Sequence, residues 1–90
     1  MLDIVVSNRF KKDLKLAIRR GYRMDLMEEV VNTLAANEKL APKYKDHELT
    51  GNYNGLRECH ITPDWLLVYQ IIDNELVLYL ARTGTHSDLF

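Results

Sequence analysis

Two histidines, an aspartate and an isolated arginine lie near the ends of apolar segments in the last third of the sequence: His60, Asp64, Arg82 and His86. Histidine titrates near neutrality, so a pair can supply both a proton acceptor and a proton donor. Internal cleavage of RNA needs such a pair. One group takes the proton of a 2′-hydroxyl as it attacks the adjacent phosphate, and the other protonates the departing 5′-oxygen. A cation such as Arg82 can stabilise the additional negative charge on that phosphate.

Trp65, the single tryptophan, adds a surface on which an unpaired base can stack, an interaction of about 1–3 kcal/mol. It also begins an apolar segment, so packing in the core explains it equally well. Histidines on strands are often ordinary hydrogen-bonded residues, and Arg82 can simply cover the end of a sheet. Residue types alone therefore leave RNA cleavage as one of several interpretations.

The first half of the chain predicts a strand followed by two helices. Leu2–Val6 is rich in β-branched residues, and either Ser7 or Asn8 can cap the helix that follows. Apolar residues then recur at helical spacing and predict one buried face, made of Phe10, Leu14, Ala17, Ile18 and Gly21 or Tyr22. The opposite face is basic and carries Lys12, Lys15, Arg19 and Arg23.

A second helix is predicted from Asp25 to Asn37, opened by an Asp25–Glu28 pair that resembles a capping box. Its buried stripe is expected to consist of Met27, Val30, Val31 and Leu34. The segment Leu40–Leu49 is predicted to be an irregular connection, and Thr50–Gly55 is rich in turn-forming residues.

Three further strands are predicted at 56–62 (Leu-Arg-Glu-Cys-His-Ile-Thr), 65–72 and 75–82, joined by tight connections at Pro63-Asp64 and Asp73-Asn74. In such an antiparallel meander the first strand ends where the second begins, and the third ends at that same edge. His60, Asp64, Trp65, Arg82 and the tail around His86 should therefore converge. A two-residue turn would place Ile72 opposite Glu75 and Trp65 opposite Arg82, although a slip of one residue would move the side chains to the other face.

Size and composition indicate one α+β domain over residues 1–90. No apolar run approaches the roughly 20 residues of a membrane span. The single cysteine, Cys59, suits a reducing cytoplasm, where we expect the protein to act. Net charge is −1, yet residues 1–23 carry seven basic side chains against two acidic ones, so this part could contact a polyanion.

Metal ligation is not expected. Cys59, His47, His60 and His86 lack the C-x-x-C or H-x-x-x-H spacing of common zinc sites. Cys59 is predicted to be a small buried apolar residue.

Taken in order, four motifs resemble the RelE superfamily of bacterial toxins, and within it the YafQ-like branch: Tyr44–Leu49, Gly55–His60, Pro63–Tyr69 and Arg82–Phe90. The likeness covers the whole chain. It implies a small RelE/ParE-like fold with an N-terminal strand, a two-helix hairpin and a three-stranded antiparallel meander completing one sheet.

The resemblance also implies an activity. Such proteins are the toxins of type II toxin–antitoxin systems, ribosome-dependent mRNA endonucleases that cut the codon in the decoding site and inhibit translation without a metal or organic cofactor. The YafQ-like catalytic pattern falls on His47, His60, Asp64, Arg82 and His86. His86 is expected to be the general acid and Asp64, with His60, the general base, while Arg82 and His47 stabilise or orient the phosphate.

Binding roles follow from the same resemblance. Trp65 and Phe90 are expected to position bases, and the first helix to contact ribosomal RNA through Lys11, Lys12, Lys15 and Arg19. The implied partners are the ribosome with its mRNA and a cognate antitoxin, which is dimeric and binds operator DNA, so that DNA is contacted only through the complex. Two alternatives stay open: a ParE-like toxin that inhibits DNA gyrase by binding, and a catalytically silent antitoxin-binding module.

Overall fold

A single five-stranded sheet organises the protein, whose computed structural model describes all 90 residues. The strand order across the sheet is β1-β5-β4-β3-β2, with β1 parallel to β5 and every other neighbouring pair antiparallel. The predicted α+β class is confirmed, with one strand more than expected. The bounds are β1 Asp3–Val6, β2 His47–Glu48, β3 Arg57–Thr62, β4 Trp65–Ile72 and β5 Val77–Gly84.

The helical hairpin forms as α1, Asn8–Arg19, and α2, Met24–Ala35. Ser7 caps α1, since its Oγ accepts a hydrogen bond from the Phe10 amide at 2.9 Å. The capping box predicted for the second helix is wrong. The helix begins at Met24 without a side-chain cap, and the Asp25 carboxylate instead accepts a hydrogen bond from Arg23 at 2.6 Å.

The main core lies between these helices and one face of the sheet. Of the stripe predicted for the first helix, Phe10 and Ala17 are buried there and Leu14 and Tyr22 are partly buried. Ile18 is 56% exposed, so its place in that stripe was predicted wrongly. Cys59 is fully buried as expected, and burial raises the pKa of its thiol to about 12, which keeps it protonated at neutral pH. The buried residues of this core include Phe10, Ala17, Met27, Val30, Leu34, Ile61, Trp65, Leu67, Tyr69, Leu78 and Leu80.

The predicted meander exists, but its second hairpin has a different register. Asp73–Glu75 form a turn of 3-10 helix and Leu76 is left-handed with φ 54°, so Ile72 pairs with Val77 rather than Glu75. A bulge opposite Val68 and Tyr69 shifts the register again. Arg82 therefore pairs with Val68, and the predicted pairing of Trp65 with Arg82 is wrong.

The other face of the sheet carries a smaller apolar cluster, covered by a short C-terminal helix for which the sequence predicts no secondary structure. This helix, α3, spans His86–Leu89. Its Leu89 packs with Leu66, Val68 and Ala81. Every helix is too short or too polar to span a lipid bilayer.

Candidate active site

A row of paired residues crosses the sheet on the face opposite α1 and α2. His47 of β2 pairs with Glu58 of β3, Glu58 with Val68 of β4, and Val68 with Arg82 of β5. Because directly paired residues project to the same face, His47, Glu58 and Arg82 share one face of the sheet, with the fully buried Val68 between Glu58 and Arg82. At the usual strand spacing the two ends of the row are about 14 Å apart, an extended site rather than a point.

His60 lies two residues along β3 from Glu58 and therefore shares its face. It pairs with Leu66, which in turn pairs with Gly84. The predicted meeting of the end of β3, the start of β4 and the end of β5 is thus confirmed at His60, Leu66 and Gly84.

A buried carboxylate joins the two histidines. Glu58 Oε1 is 3.6 Å from Nε2 of His47 and 3.6 Å from Nε2 of His60, and the Glu58 side chain is only 4% exposed. Both distances exceed hydrogen-bond length, so Glu58 faces both Nε2 atoms without a hydrogen bond to either. Glu58 was missed by the sequence analysis. Its position two residues before His60 was the available signal, but its environment includes His47 of β2, a neighbouring strand that the sequence does not predict.

Backbone carbonyls orient both rings. His47 Nδ1 lies 2.7 Å from the Lys45 oxygen, and His60 Nδ1 lies 3.4 Å from the Pro63 oxygen. A carbonyl only accepts hydrogen bonds, so each Nδ1 carries a hydrogen and donates it. The Nε2 atoms, which face Glu58, are therefore the ring nitrogens that no backbone carbonyl holds.

The loop that carries His47 is held by a hydrogen-bonded network. Asp46 accepts from the Tyr69 hydroxyl at 2.5 Å and from two nitrogens of Arg57 at 3.3 Å each. Burial and the Asp46 carboxylate raise the pKa of Tyr69, so its hydroxyl keeps the proton it donates. This network places β2, a two-residue strand that the sequence analysis had included in an irregular connection.

Arg82 is held at the open edge of β5. β1 pairs with β5 only as far as Leu80, and α1 covers the remainder. Asp13 of α1 accepts from Arg82 Nε at 2.7 Å and from the Thr83 amide at 3.2 Å. The Asp13 hydrogen bonds raise the pKa of Arg82, which remains a fixed cation. One carboxylate thus closes a sheet edge and orients a predicted catalytic arginine.

His86 opens α3, whose position several contacts define. Thr85 and Asp88 form a capping box, and Asp88 accepts two hydrogen bonds from Arg20 at 2.6 and 3.2 Å. The Arg20 guanidinium holds the pKa of the Asp88 carboxyl well below its usual range. This contact, which we call the Arg20–Asp88 latch, ties the helix bearing His86 to the end of α1.

Tyr53 secures the last residues from the other side. Its hydroxyl donates to the Leu89 carbonyl at 3.0 Å, and its ring meets the Phe90 ring edge-on with centroids 5.1 Å apart. The His86 and Phe90 rings are also 5.1 Å apart. Phe90 is 52% exposed, so its ring is accessible to a base. These contacts hold the C-terminal residues against Tyr53, and their part in the site stays a prediction.

Trp65 does not have the environment of a base-stacking residue. It is only 3% exposed, its ring lies 5.0 Å from that of Tyr22, and its Nε1 donates to Thr83 Oγ1 at 2.8 Å. Thr83 Oγ1 in turn donates to the Leu66 carbonyl at 2.7 Å. The expectation that Trp65 positions a base is contradicted by this burial, and the core-packing interpretation is confirmed. Trp65 supports the strands beneath the site.

The remaining predicted residues are accessible. Asp64 is exposed in the turn between β3 and β4, directly after the carbonyl that holds His60. The four basic residues of α1 that the sequence predicts to contact RNA are exposed and take part in none of the ion pairs: Lys11, Lys12, Lys15 and Arg19. No set of three or more His, Cys, Asp or Glu side chains is arranged to hold a metal ion.

With this geometry in view, comparison with known proteins identifies the family. Residues 2–90 match the family model described as the bacterial toxin of type II toxin–antitoxin system, YafQ. The chain belongs to the YafQ toxin family. Its curated relatives include the mRNA interferase toxin YafQ of Escherichia coli strain K12, which is 40% identical over 89 residues, 98% of this chain and 95% of that protein.

Solved YafQ-family structures superpose on the whole chain. A metal-bound toxin from Helicobacter pylori is 51% identical with a TM-score of 0.94, and each chain covers all of the other. YafQ in the E. coli DinJ–YafQ complex is 40% identical with a TM-score of 0.90, over 100% of this chain and 99% of that one. The arrangement described above is therefore that of a YafQ-family toxin.

Proposed function

We propose that this YafQ-family chain is an mRNA interferase, an endoribonuclease that cleaves mRNA by general acid–base catalysis. The observation that carries the proposal is the pair of imidazoles around buried Glu58, on the same sheet face as Arg82. Internal cleavage of RNA requires a proton acceptor, a proton donor and a cation near the phosphate, and His60 and Arg82 are two of these groups. The named activity of the 40%-identical E. coli relative supports it.

In this proposal His86 is the general acid that protonates the departing 5′-oxygen. Asp64, with His60, takes the proton of the 2′-hydroxyl. Arg82 and His47 stabilise or orient phosphate groups of the RNA from the two ends of the row. Glu58 does not touch the substrate; it positions Nε2 of both imidazoles and balances their charge when protonated. Phe90 offers a ring to a neighbouring base.

We further propose that the substrate is mRNA held in the decoding site of the ribosome. The basic surface of α1 supports this, because ribosomal RNA presents a dense array of phosphates. The exposed residues of this surface that form no ion pair are Lys11, Lys12, Lys15 and Arg19. Such a function places the protein in the cytoplasm, as a single toxin domain over residues 1–90. Cleavage of mRNA in the decoding site inhibits translation.

The proposed reaction uses no metal or organic cofactor, because side chains already present can make both proton transfers. A toxin that is 51% identical is described as metal-bound, so the proposal needs a direct test. Cleavage by the wild-type protein should be unchanged by EDTA at a free Mg²⁺ level that keeps the ribosomes intact. Loss of cleavage on removal of a transition metal, restored by adding that metal back, would contradict metal independence.

The proposed partner is a cognate antitoxin. E. coli YafQ is known in complex with DinJ, and this chain covers nearly all of that YafQ chain. We propose that an equivalent antitoxin, dimeric and DNA-binding, binds this chain. The complex then contacts operator DNA through the antitoxin.

The test of the proposed function is to map mRNA 5′ ends after brief induction of the wild-type protein and of His86→Ala. New ends within translated codons should appear with the wild type and be absent with the variant, while antitoxin affinity is retained. Gyrase supercoiling assayed with the purified protein is the matched control and should be unaffected. Growth arrest without mRNA cuts, or with loss of supercoiling, would overturn the proposal.

A further inference from the structure

A groove opens beside His60, away from the row of paired residues. Its floor and walls come from α2, the turn at residues 42–45 and the end of the β3–β4 hairpin, and its volume is about 370 Å³. Leu26, Tyr44 and Ile61 line it, and His60 forms part of its rim. This volume lies within the range of about 300–1,000 Å³ that is usual for small-molecule sites.

Two lysines, Lys43 and Lys45, also line the groove. Both are exposed and neither forms an ion pair, so their charge is uncompensated. Lys43 Nζ lies 5.1 Å from the centre of the Tyr44 ring, which brings a cation and an aromatic surface to the same place. Glu29 on the α2 side carries the opposite charge, so an anion is favoured only at the lysine side.

The groove is connected to the proposed catalytic residues through two contacts. The first is His60, which lines the groove and also lies beside Glu58 among the proposed catalytic residues. The carbonyl of Lys45 accepts from Nδ1 of His47, while the Lys45 side chain lines the groove. A ligand bound here would lie next to His60 and beside the residue whose carbonyl holds His47.

We propose that this groove binds one unpaired nucleotide of the RNA, adjacent to the phosphate that is cleaved. The base would lie against Tyr44 and the apolar side chains, and a phosphate would contact Lys43 and Lys45. An aromatic ring beside a basic rim is the combination that recognises single-stranded nucleic acid. The inference rests on the proposed RNA cleavage and adds to it a subsite that influences which sequences are cut.

The direct test is an NMR titration of the isolated ¹⁵N-labelled protein with AMP, and with ribose 5-phosphate as the ligand that lacks a base. AMP should shift the amide signals of Leu26, Tyr44 and Ile61. Ribose 5-phosphate should bind roughly fivefold more weakly or worse, corresponding to the low end of the contribution of one stacked base. Equal affinities, shifts confined to the basic face of α1, or no shifts at millimolar AMP would each overturn the proposal.

Matched variants separate stacking from folding. Tyr44→Phe keeps the ring and should bind AMP like the wild type, whereas Tyr44→Leu keeps an apolar side chain without a ring and should bind at least about fivefold more weakly. Lys43→Gln and Lys45→Gln should weaken binding of both ligands, and Lys39→Gln, a nearby charge change outside the groove, should not. If Tyr44→Leu weakens antitoxin binding while AMP affinity is unchanged, the groove serves a protein partner and the proposal is wrong.

Failure of this subsite and failure of the proposed function are distinguishable. The titration needs neither ribosomes nor cleavage. A wild-type protein that cleaves mRNA but does not bind AMP in the groove removes the subsite alone. Absence of mRNA cleavage removes the proposed function, whatever the titration shows.

Discussion

Replacing Trp65 by phenylalanine separates support of the fold from contact with substrate. The substitution removes the 2.8 Å hydrogen bond to Thr83, a contribution of about 1 kcal/mol. It also removes ring atoms at a position that is 3% exposed, for about 1–2 kcal/mol more. A total near 2–3 kcal/mol should lower the Tm of a domain this size by roughly 10–20 °C.

Thermal unfolding followed by circular dichroism measures this effect, since the variant has lost the protein's only tryptophan and cannot be followed by its fluorescence. Thr83→Val removes the other partner of the same bond, together with the hydrogen bond from Thr83 Oγ1 to the Leu66 carbonyl. The double variant should lose less stability than the two single variants added together, because both remove one interaction.

Cleavage should then be compared at a temperature at which every variant is fully folded. Because the indole ring is covered by Tyr22 and Thr83, Trp65→Phe should cleave within about twofold of the wild type, the small effect expected of a substitution that touches no substrate. A fully folded Trp65→Phe protein that no longer cleaves would refute this reasoning. It would mean that the ring leaves the core and reaches the RNA.

Two further predictions concern the contacts that position the catalytic groups. Glu58→Gln should lower kcat by roughly tenfold or more, which is part of the contribution of acid–base catalysis, and it should alter the pH–rate profile. Glu58→Asp should restore part of both effects. An unchanged profile would remove Glu58 from the mechanism. Because Arg20 depresses the pKa of Asp88, the latch should contribute fully above the usual carboxyl pKa of about 4 and weaken as pH falls below it. Amide hydrogen exchange in α3 of the wild type should therefore become faster in acid, relative to the rest of the protein. In Asp88→Asn it should already be faster at neutral pH. Equal protection of α3 in that variant and the wild type at neutral pH would contradict the latch.

Chain connectivity made part of the site predictable. In a meander, the ends of β3 and β5 and the start of β4 must share an edge, whatever the side chains are, and His60, Leu66 and Gly84 do align there. The helix cap at Ser7 was also predictable, because it depends on local chemistry alone.

The register could not be predicted in the same way. The 3-10 turn at Asp73–Glu75 requires a left-handed leucine at position 76, a conformation that residue type does not indicate. The bulge beside Arg82 then moves that residue opposite Val68. A tight turn was the natural expectation from Asp73-Asn74, and it gave the wrong partner.

Other features depend on contacts between distant parts of the chain. Glu58 would ordinarily be assigned to the surface, and it is buried with His47 of β2 beside it. β2 itself has only two residues and is placed by Asp46, which Tyr69 and Arg57 hold from other strands. No local pattern carries that information.

The most direct test of the account uses a short mRNA on purified programmed ribosomes, with the scissile nucleotide either a ribonucleotide or its 2′-deoxy analogue. The account predicts that the wild-type protein cleaves only the ribonucleotide mRNA, leaving a 2′,3′-cyclic phosphate, and that His86→Gln cleaves neither despite native binding. Equal cleavage of the 2′-deoxy mRNA would contradict acid–base attack by the 2′-hydroxyl. Full activity of His86→Gln would contradict its role as the general acid.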